Sequence, residues 1–248
     1  MTEKPLTMTT AIILSAGQGR RLLPLTENQP KCLLPIAGKS VLQWQLDALL
    51  DSGIENISVV TGFHSDLVEQ LLESEYPKKP GIKILYNPFF SVSDNLASCW
   101  QARSHMNNDF LLINGDTVFE ADLLKHVLAS PSAPITLTID QKSTYDEDDM
   151  KVELEGMQVR HVSKILTTEQ SHAESIGMLY FRENGPERFR NSIEKAMRKP
   201  AGLKSWFLSV VDALAGENLV QACVISGMRW AEIDFIVDLE SAEKLLAD

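Results

Sequence analysis

The chain has 248 residues, 44% of them hydrophobic and 23% charged, an ordinary balance for a globular protein. Its formal net charge of −11 speaks against nonspecific nucleic-acid binding, which depends on a broad basic surface. No apolar run approaches a membrane span or a signal-peptide core, and Cys32, Cys99 and Cys223 show no C-x-x-C pair or zinc-ligand spacing. A soluble, cytoplasmic protein with free thiols and no membrane partner is expected.

Residues 1–9 read as a disordered extension and 10–248 as a single domain, close to the upper limit for one hydrophobic core. Residues 11–14 are apolar and β-branched, which suits a strand buried on both faces of a parallel sheet. Ser15, Ala16, Gly17 and Gly19 follow, small enough for backbone N–H groups to approach a bulky ligand. Arg20 and Arg21, with Lys31, place positive charge beside these donors, as binding a triphosphate requires. Three better-known patterns fail here. A dinucleotide fingerprint needs glycine where Leu22 stands, a nucleophile elbow needs glycine where Ile13 stands, and the P-loop-like Gly38-Lys39-Ser40 lacks its first glycine, which is Leu33. Arg20, Arg21, Lys31 and Lys39 in an acidic protein point to a small anion, with a solvated basic face as the alternative.

Residues 41–50 have helical spacing, with Ser40 as N-cap and Gly53 closing. A strand at 57–61, a helix at 64–74, a strand at 82–86, a helix from Ser93 or Asp94 to 106 and a strand at 110–114 continue the alternation of a parallel sheet. Such sheets bind ligands beyond the C-terminal strand ends, where Gly17, Gly62, Asn87 and Asp116 fall. Asp116, after Asn114 and Gly115, suits a hard cation; a simple turn or cap aspartate is the alternative. After a strand at 135–140, the acidic run Asp146 to Asp149 does not fit a calcium loop, because Lys151 stands where glycine is needed, and reads as a solvated loop. Residues 151–154 and 158–164, around Gly156, read as a hairpin insertion. A strand at 174–181 with Gly177, amphipathic helices at 186–197 and 206–215, a strand at 219–225 and a helix at 237–246 complete the chain. Glu232 and Asp234 alternate and would share one face of a strand.

The stretch from Thr10 through AGQGRRLLPLT to QPKCLLPIAGKSVL resembles the signature of nucleotidyltransferases that join a nucleoside triphosphate to a sugar phosphate or phosphoalcohol, and the resemblance runs from Ala11 to about Leu246. It implies an α/β fold: a three-layer α/β/α Rossmann-like arrangement with a mixed, mostly parallel sheet and the small hairpin insertion. It also implies an enzyme in which an acceptor phosphate oxygen attacks the α-phosphorus in line, with Mg²⁺ on Asp116 and Asp234 and with Arg21 and Lys31 drawing off charge. Arg21, in preference to Arg20, matches the motif arginine. Leu14, Ala16, Gly17, Gly19, Gly62, Asn95 and Ser98 would join Arg21 and Lys31 around the nucleotide. Lys164 matches a lysine that contacts the acceptor phosphate, with an ordinary surface lysine as the alternative.

The segment Glu232-Ile233-Asp234, and Asn95 and Ser98 within SVSDNLASCW, resemble cytidylyltransferases acting on phosphocholine and related phosphoalcohols. No glycine-rich LGTAGA-like segment of the sugar-phosphate enzymes is present. This favours CTP with a small phosphorylated alcohol or amine, with Trp230 and Glu232 at the acceptor. A choline-like cation would need aromatic faces, for which Tyr145, Tyr180, Trp206 and Phe207 are candidates, although core packing explains most aromatics. Two other readings stand beside this one: a sugar-1-phosphate nucleotidyltransferase, and a non-catalytic nucleotide-binding regulatory subunit. A hexapeptide-repeat domain is not expected after Leu246, and a homo-oligomer is left open.

Overall fold

The computed structural model describes residues 9–247. In chain order the first half contains β1 (Thr10–Ser15), β2 (Pro35–Ile36), β3 (Lys39–Ser40), α1 (Val41–Asp51), β4 (Asn56–Thr61), α2 (Ser65–Glu75), β5 (Ile82–Tyr86), α3 (Asn95–Ala102), β6 (Phe110–Asn114), β7 (Thr117–Phe119) and α4 (Ala121–Leu128). The second half contains β8 (Ile135–Asp140), β9 (Lys151–Glu155), β10 (Gln158–Ser163), β11 (Ala173–Phe181), α5 (Gly185–Met197), α6 (Phe207–Ala215), β12 (Val220–Val224), β13 (Trp230–Glu232) and α7 (Ile236–Leu246). The expected extension at 1–9 lies outside the described residues except for Thr9, which is buried. Thr10 N–H, next to it, donates to the carbonyl of Asp109 at 3.2 Å.

One nine-stranded sheet, in the order β5-β4-β1-β6-β11-β8-β12-β10-β9, forms the middle layer. All its strands run in one direction except β10 and β11, so it is mixed and mostly parallel. Because β1 is buried along nearly its whole length, its alternate residues feed two separate cores. Ile12 and Leu14 pack with α3, α5 and α6 on one face, and Ala11 and Ile13 pack with α1, α2 and α4 on the other. The helix α1 starts where expected: Ser40 Oγ accepts from Gln43 N at 3.2 Å, and Gln43 Oε1 accepts from Ser40 N at 2.9 Å.

Residues 117–128 form β7 and α4, which the sequence pattern alone does not single out, and the helix from Asp94 ends at Ala102 in place of 106. The larger difference lies at β9 and β10. This hairpin is more than an edge insertion: β9 also pairs with β11, Val152 opposite Ala173 and Lys151 opposite Glu174, so the sheet rolls back on itself. The loop before β9 thereby reaches the first loop of the chain, where Asp148 pairs with Arg21 at 3.0 Å.

A third, smaller apolar cluster joins distant parts of the chain. Leu22, Leu34 and Ile36 from the first loop pack with Val118 of β7, Ile233 and the α7 residues Ala242 and Leu246. In the larger core, the Phe110 and Phe181 rings stack at 4.3 Å, and Phe189 lies 4.5 Å from Phe181 with no exposed surface. Phe189→Ala should therefore lower stability by about 3–5 kcal/mol, read as a shift of the urea midpoint at unchanged slope. A loss below about 1 kcal/mol would contradict this packing.

Candidate active site

The C-terminal ends of β1, β4, β5 and β6 bring Gly17, Gly62, Asn87 and Asp116 to one edge of the sheet. A cleft of about 270 Å³ opens there, lined by Leu14, Ala16, Gly17, Asn95 and Ser98 together with Asn87, Ser93, Asp94, Asn114, Asp116 and Trp206. Gly62 supports this wall from behind, since a Cβ there would sit 2.4 Å from Phe90 Cβ and 2.7 Å from the Ala16 carbonyl. Asn95 and Ser98 are anchored: Asn95 Oδ1 accepts from Phe207 N at 2.9 Å, and Ser98 Oγ accepts from buried Asn87 at 3.1 Å.

The charged centre is built from three segments. Asp116 stands in the turn between β6 and β7, which fully buried Gln45 of α1 holds by donating to the carbonyls of Asn114 and Thr117, both at 2.7 Å. Gly115 makes this turn fit, because a Cβ would lie 2.4 Å from the Leu14 carbonyl. Asp234 follows β13, which pairs with β7; the Ile233 N–H donates to the Asp116 carbonyl at 3.0 Å, and Asp238 accepts from Asp234 N at 2.8 Å. Lys31 comes from the first loop, where Gly19, in the left-handed region at φ 74°, packs against its side chain. Thr26 Oγ1 donates to the Gly19 carbonyl at 2.8 Å and ties the loop together.

Lys31 Nζ donates to Asp116 Oδ2 at 2.8 Å and to Asp234 Oδ1 at 2.7 Å. Arg21 holds the other oxygen of Asp234 at 2.8 Å and Asp148 at 3.0 Å, and its guanidinium lies over the Phe235 ring at 4.8 Å. Burial alone would lower the Lys31 pKa, but the facing carboxylates of Asp116 and Asp234 raise it. Burial works in the opposite sense on Asp234, yet Lys31 and then Arg21 hold its carboxyl below the ordinary range.

On the far side of this centre is a second pocket of about 300 Å³, lined by Trp230, Glu232 and Asp234 with Lys142, Asp146, Asp148, Asp149, Glu174, Phe235 and Asp238. Desolvation in the pocket, and then the charges of Asp116 and Asp234, push the Glu232 carboxyl above the ordinary carboxylate range. Trp230 Nε1 donates to Asp140 at 2.8 Å, which fixes the indole. Lys164 reaches Asp148 at 3.4 Å and lies over the Trp206 ring at 4.9 Å.

Several expectations change. Lys39 leaves the basic cluster, pairing with Asp47 at 2.5 Å and covering the Trp44 ring, because it opens directly onto α1. The acidic run is not simply solvated, since Asp146, Asp148 and Asp149 turn toward the second pocket. Of the aromatic candidates, Tyr180 and Phe207 are core residues, Trp206 walls the first cleft, and Tyr145 meets the backbone N–H of Lys142 with its hydroxyl oxygen. Sequence reasoning missed Glu174, Asp149 and Lys142 as pocket residues. The available signal was a charged residue, Glu174, at the head of a largely apolar strand.

The sequence profile described as "Nucleotidyl transferase" matches residues 10–149, more than half of the chain. The chain belongs to the nucleotidyl transferase family. It is 29% identical over 94% of its length to the CMP-5'-(3-aminopropyl)phosphonate synthase of Streptomyces rubellomurinus, of which it spans 38%. It is 24% identical to the CTP:phosphoglutamine cytidylyltransferase of Campylobacter jejuni over 93% of this chain and 97% of that one. The first curated relatives that it matches are more than twice as long as the stretch they share with it. The inositol-1-phosphate CTP transferase structure from T. maritima shares the fold, with a TM-score of 0.81 at 19% identity, covering 97% of this chain and 96% of that one.

Asp116 and Asp234 suit the Mg²⁺ that such a family implies. Asp116 Oδ1 is buried and meets no donor, and the donor set is all oxygen, as a hard cation prefers. No third His, Cys, Asp or Glu completes an all-protein cage among the described residues. Replacing Lys31 by Met should leave two carboxylates facing each other without their cation and lower stability by about 1–3 kcal/mol. Millimolar Mg²⁺ should raise the melting temperature of this variant more than that of the parent. Equal shifts for both proteins would argue against a metal at these carboxylates.

Proposed function

We propose that the chain transfers a cytidylyl group from CTP to a small phosphorylated amine, releasing pyrophosphate. The observation that carries this reading is that two pockets of different chemistry meet at one charged centre: Asp116 lines the first, Asp234 lines the second, and Lys31 bridges them. The first cleft, with small residues and backbone donors at the end of β1, suits the nucleotide. The second, dense in carboxylates, suits an acceptor whose far end is cationic. The names of the two curated relatives support the choice of CTP and of a phosphorus-bearing acceptor.

An oxygen of the acceptor's phosphate or phosphonate would form the new bond to the α-phosphorus while the bond to the bridging oxygen breaks and pyrophosphate departs. No covalent enzyme intermediate is required. Arg21 and Lys31 would orient the phosphates and neutralise the charge that develops, and the rigid mounts of Asp116 and Asp234 would keep the reacting groups aligned. Mg²⁺ held by these two carboxylates would supply Lewis-acid charge neutralisation. A sugar 1-phosphate fits less well, because its hydroxyl groups could hydrogen-bond to the carboxylates of the second pocket but would bring no cation to offset their excess over Lys142. A purely regulatory nucleotide-binding role would not need both carboxylates.

A pyrophosphate-release screen of four nucleoside triphosphates against phosphorylated amines, phosphonates and sugar 1-phosphates tests the reading. CTP with an amine acceptor should give the highest kcat/KM; preference for glucose 1-phosphate would replace this reading with the sugar alternative. Asp116→Asn and Asp234→Asn should each cut turnover at least about a hundredfold with the fold intact, since each removes charge from the reacting centre. Arg21→Ala and Lys31→Ala should lower kcat/KM for the triphosphate by roughly tenfold or more. Normal kinetics in both variants would remove the first loop from the site.

A further inference from the structure

The second pocket offers hydrogen-bond acceptors in excess of aromatic faces. Glu174, at the start of β11, is 3% exposed, yet its side chain borders the pocket. Its Oε2 accepts from Lys142 Nζ at 2.5 Å, whereas Oε1 is buried and meets no donor. Lys142 Nζ also lies 3.4 Å from Asp149 Oδ1, so the pocket already holds one primary ammonium between these two carboxylates. Burial raises the Glu174 carboxyl to about 7; the hydrogen bond from Lys142 opposes this, and the Asp149 carboxyl, within hydrogen-bonding reach and of like charge, adds to it. A buried carboxylate oxygen without a donor is costly, and an N–H group would relieve that cost.

Aromatic surface is scarce by comparison. Trp230 and Phe235 are the two aromatic residues of the lining; the Phe235 ring is already covered by Arg21, and the Trp230 indole is tied to Asp140. A quaternary ammonium has no N–H to give and relies on several aromatic faces. We infer that the pocket selects an acceptor bearing a primary ammonium, with the unpartnered oxygen of Glu174, supported by Asp149, as the specificity-determining group. This inference rests on the proposed cytidylyl transfer and narrows its acceptor to aminoalkyl phosphates or phosphonates, against choline-type acceptors.

The test uses the whole chain with CTP and Mg²⁺ and measures pyrophosphate release with phosphoethanolamine, its mono- and dimethylated forms and phosphocholine, alongside aminoethylphosphonate and its trimethyl analogue. Within each series kcat/KM should fall as methyl groups replace N–H, by at least about a hundredfold from primary to quaternary, because the methylated acceptor leaves the buried oxygen unpaired. Glu174→Gln should raise KM for the primary amines at least about tenfold while KM for CTP and kcat stay within about twofold, and should narrow the primary-to-quaternary ratio. Should Glu174→Gln fold poorly, Asp149→Asn should move the same ratio in the same direction. Phosphocholine turned over as well as phosphoethanolamine, or an unchanged ratio in the variants, overturns this inference while leaving cytidylyl transfer intact. Turnover of sugar 1-phosphates alone overturns both.

Discussion

The site depends on one ammonium placed between two carboxylates. Lys31 meets Asp116 and Asp234 across sequence separations of 85 and 203 residues, so three segments far apart in the chain must arrive within hydrogen-bond distance. Each of the three is tethered by its own contacts. Gln45 grips the turn at Asp116, Asp238 grips the backbone at Asp234, and Gly19 packs on the stem of Lys31. Beneath them the small apolar cluster of Leu22, Leu34, Val118 and Ile233 joins the first loop to the end of the chain. Apolar packing thus does the assembling, and the polar contacts set the final geometry.

Charge is distributed unevenly on either side of this centre. The first cleft is lined mainly by neutral residues, with Asp94 and Asp116 as its carboxylates, whereas the second concentrates seven carboxylates with Lys142 as their cation. In a protein of net charge −11, such an arrangement would attract cations to the second pocket and leave anion binding to Arg21 and Lys31. A molecule with an anionic phosphorus group at one end and a cation at the other matches that polarity in a single orientation. The rolled-back hairpin makes the asymmetry, because pairing of β9 with β11 sets Lys151 opposite Glu174 and carries the acidic loop over the edge.

Much of this was legible before any coordinates. The alternation of apolar runs determined the parallel half of the sheet, since strands buried on both faces read as continuous hydrophobic stretches and strand ends mark where ligands bind. Gly17, Gly19, Arg21, Lys31, Asp116 and Asp234 stood out because they lie in the short stretches that carry the family resemblance, and a local motif needs no tertiary knowledge. Only the tertiary structure decided that Lys39 serves α1, that Tyr180 and Phe207 belong to the core, and that Glu174 and the acidic run meet at one pocket. The physical reason is range. Propensity and periodicity act over a few residues, whereas the pairing of β9 with β11 and the burial of a single carboxylate depend on loop closure and packing among segments far apart in the chain.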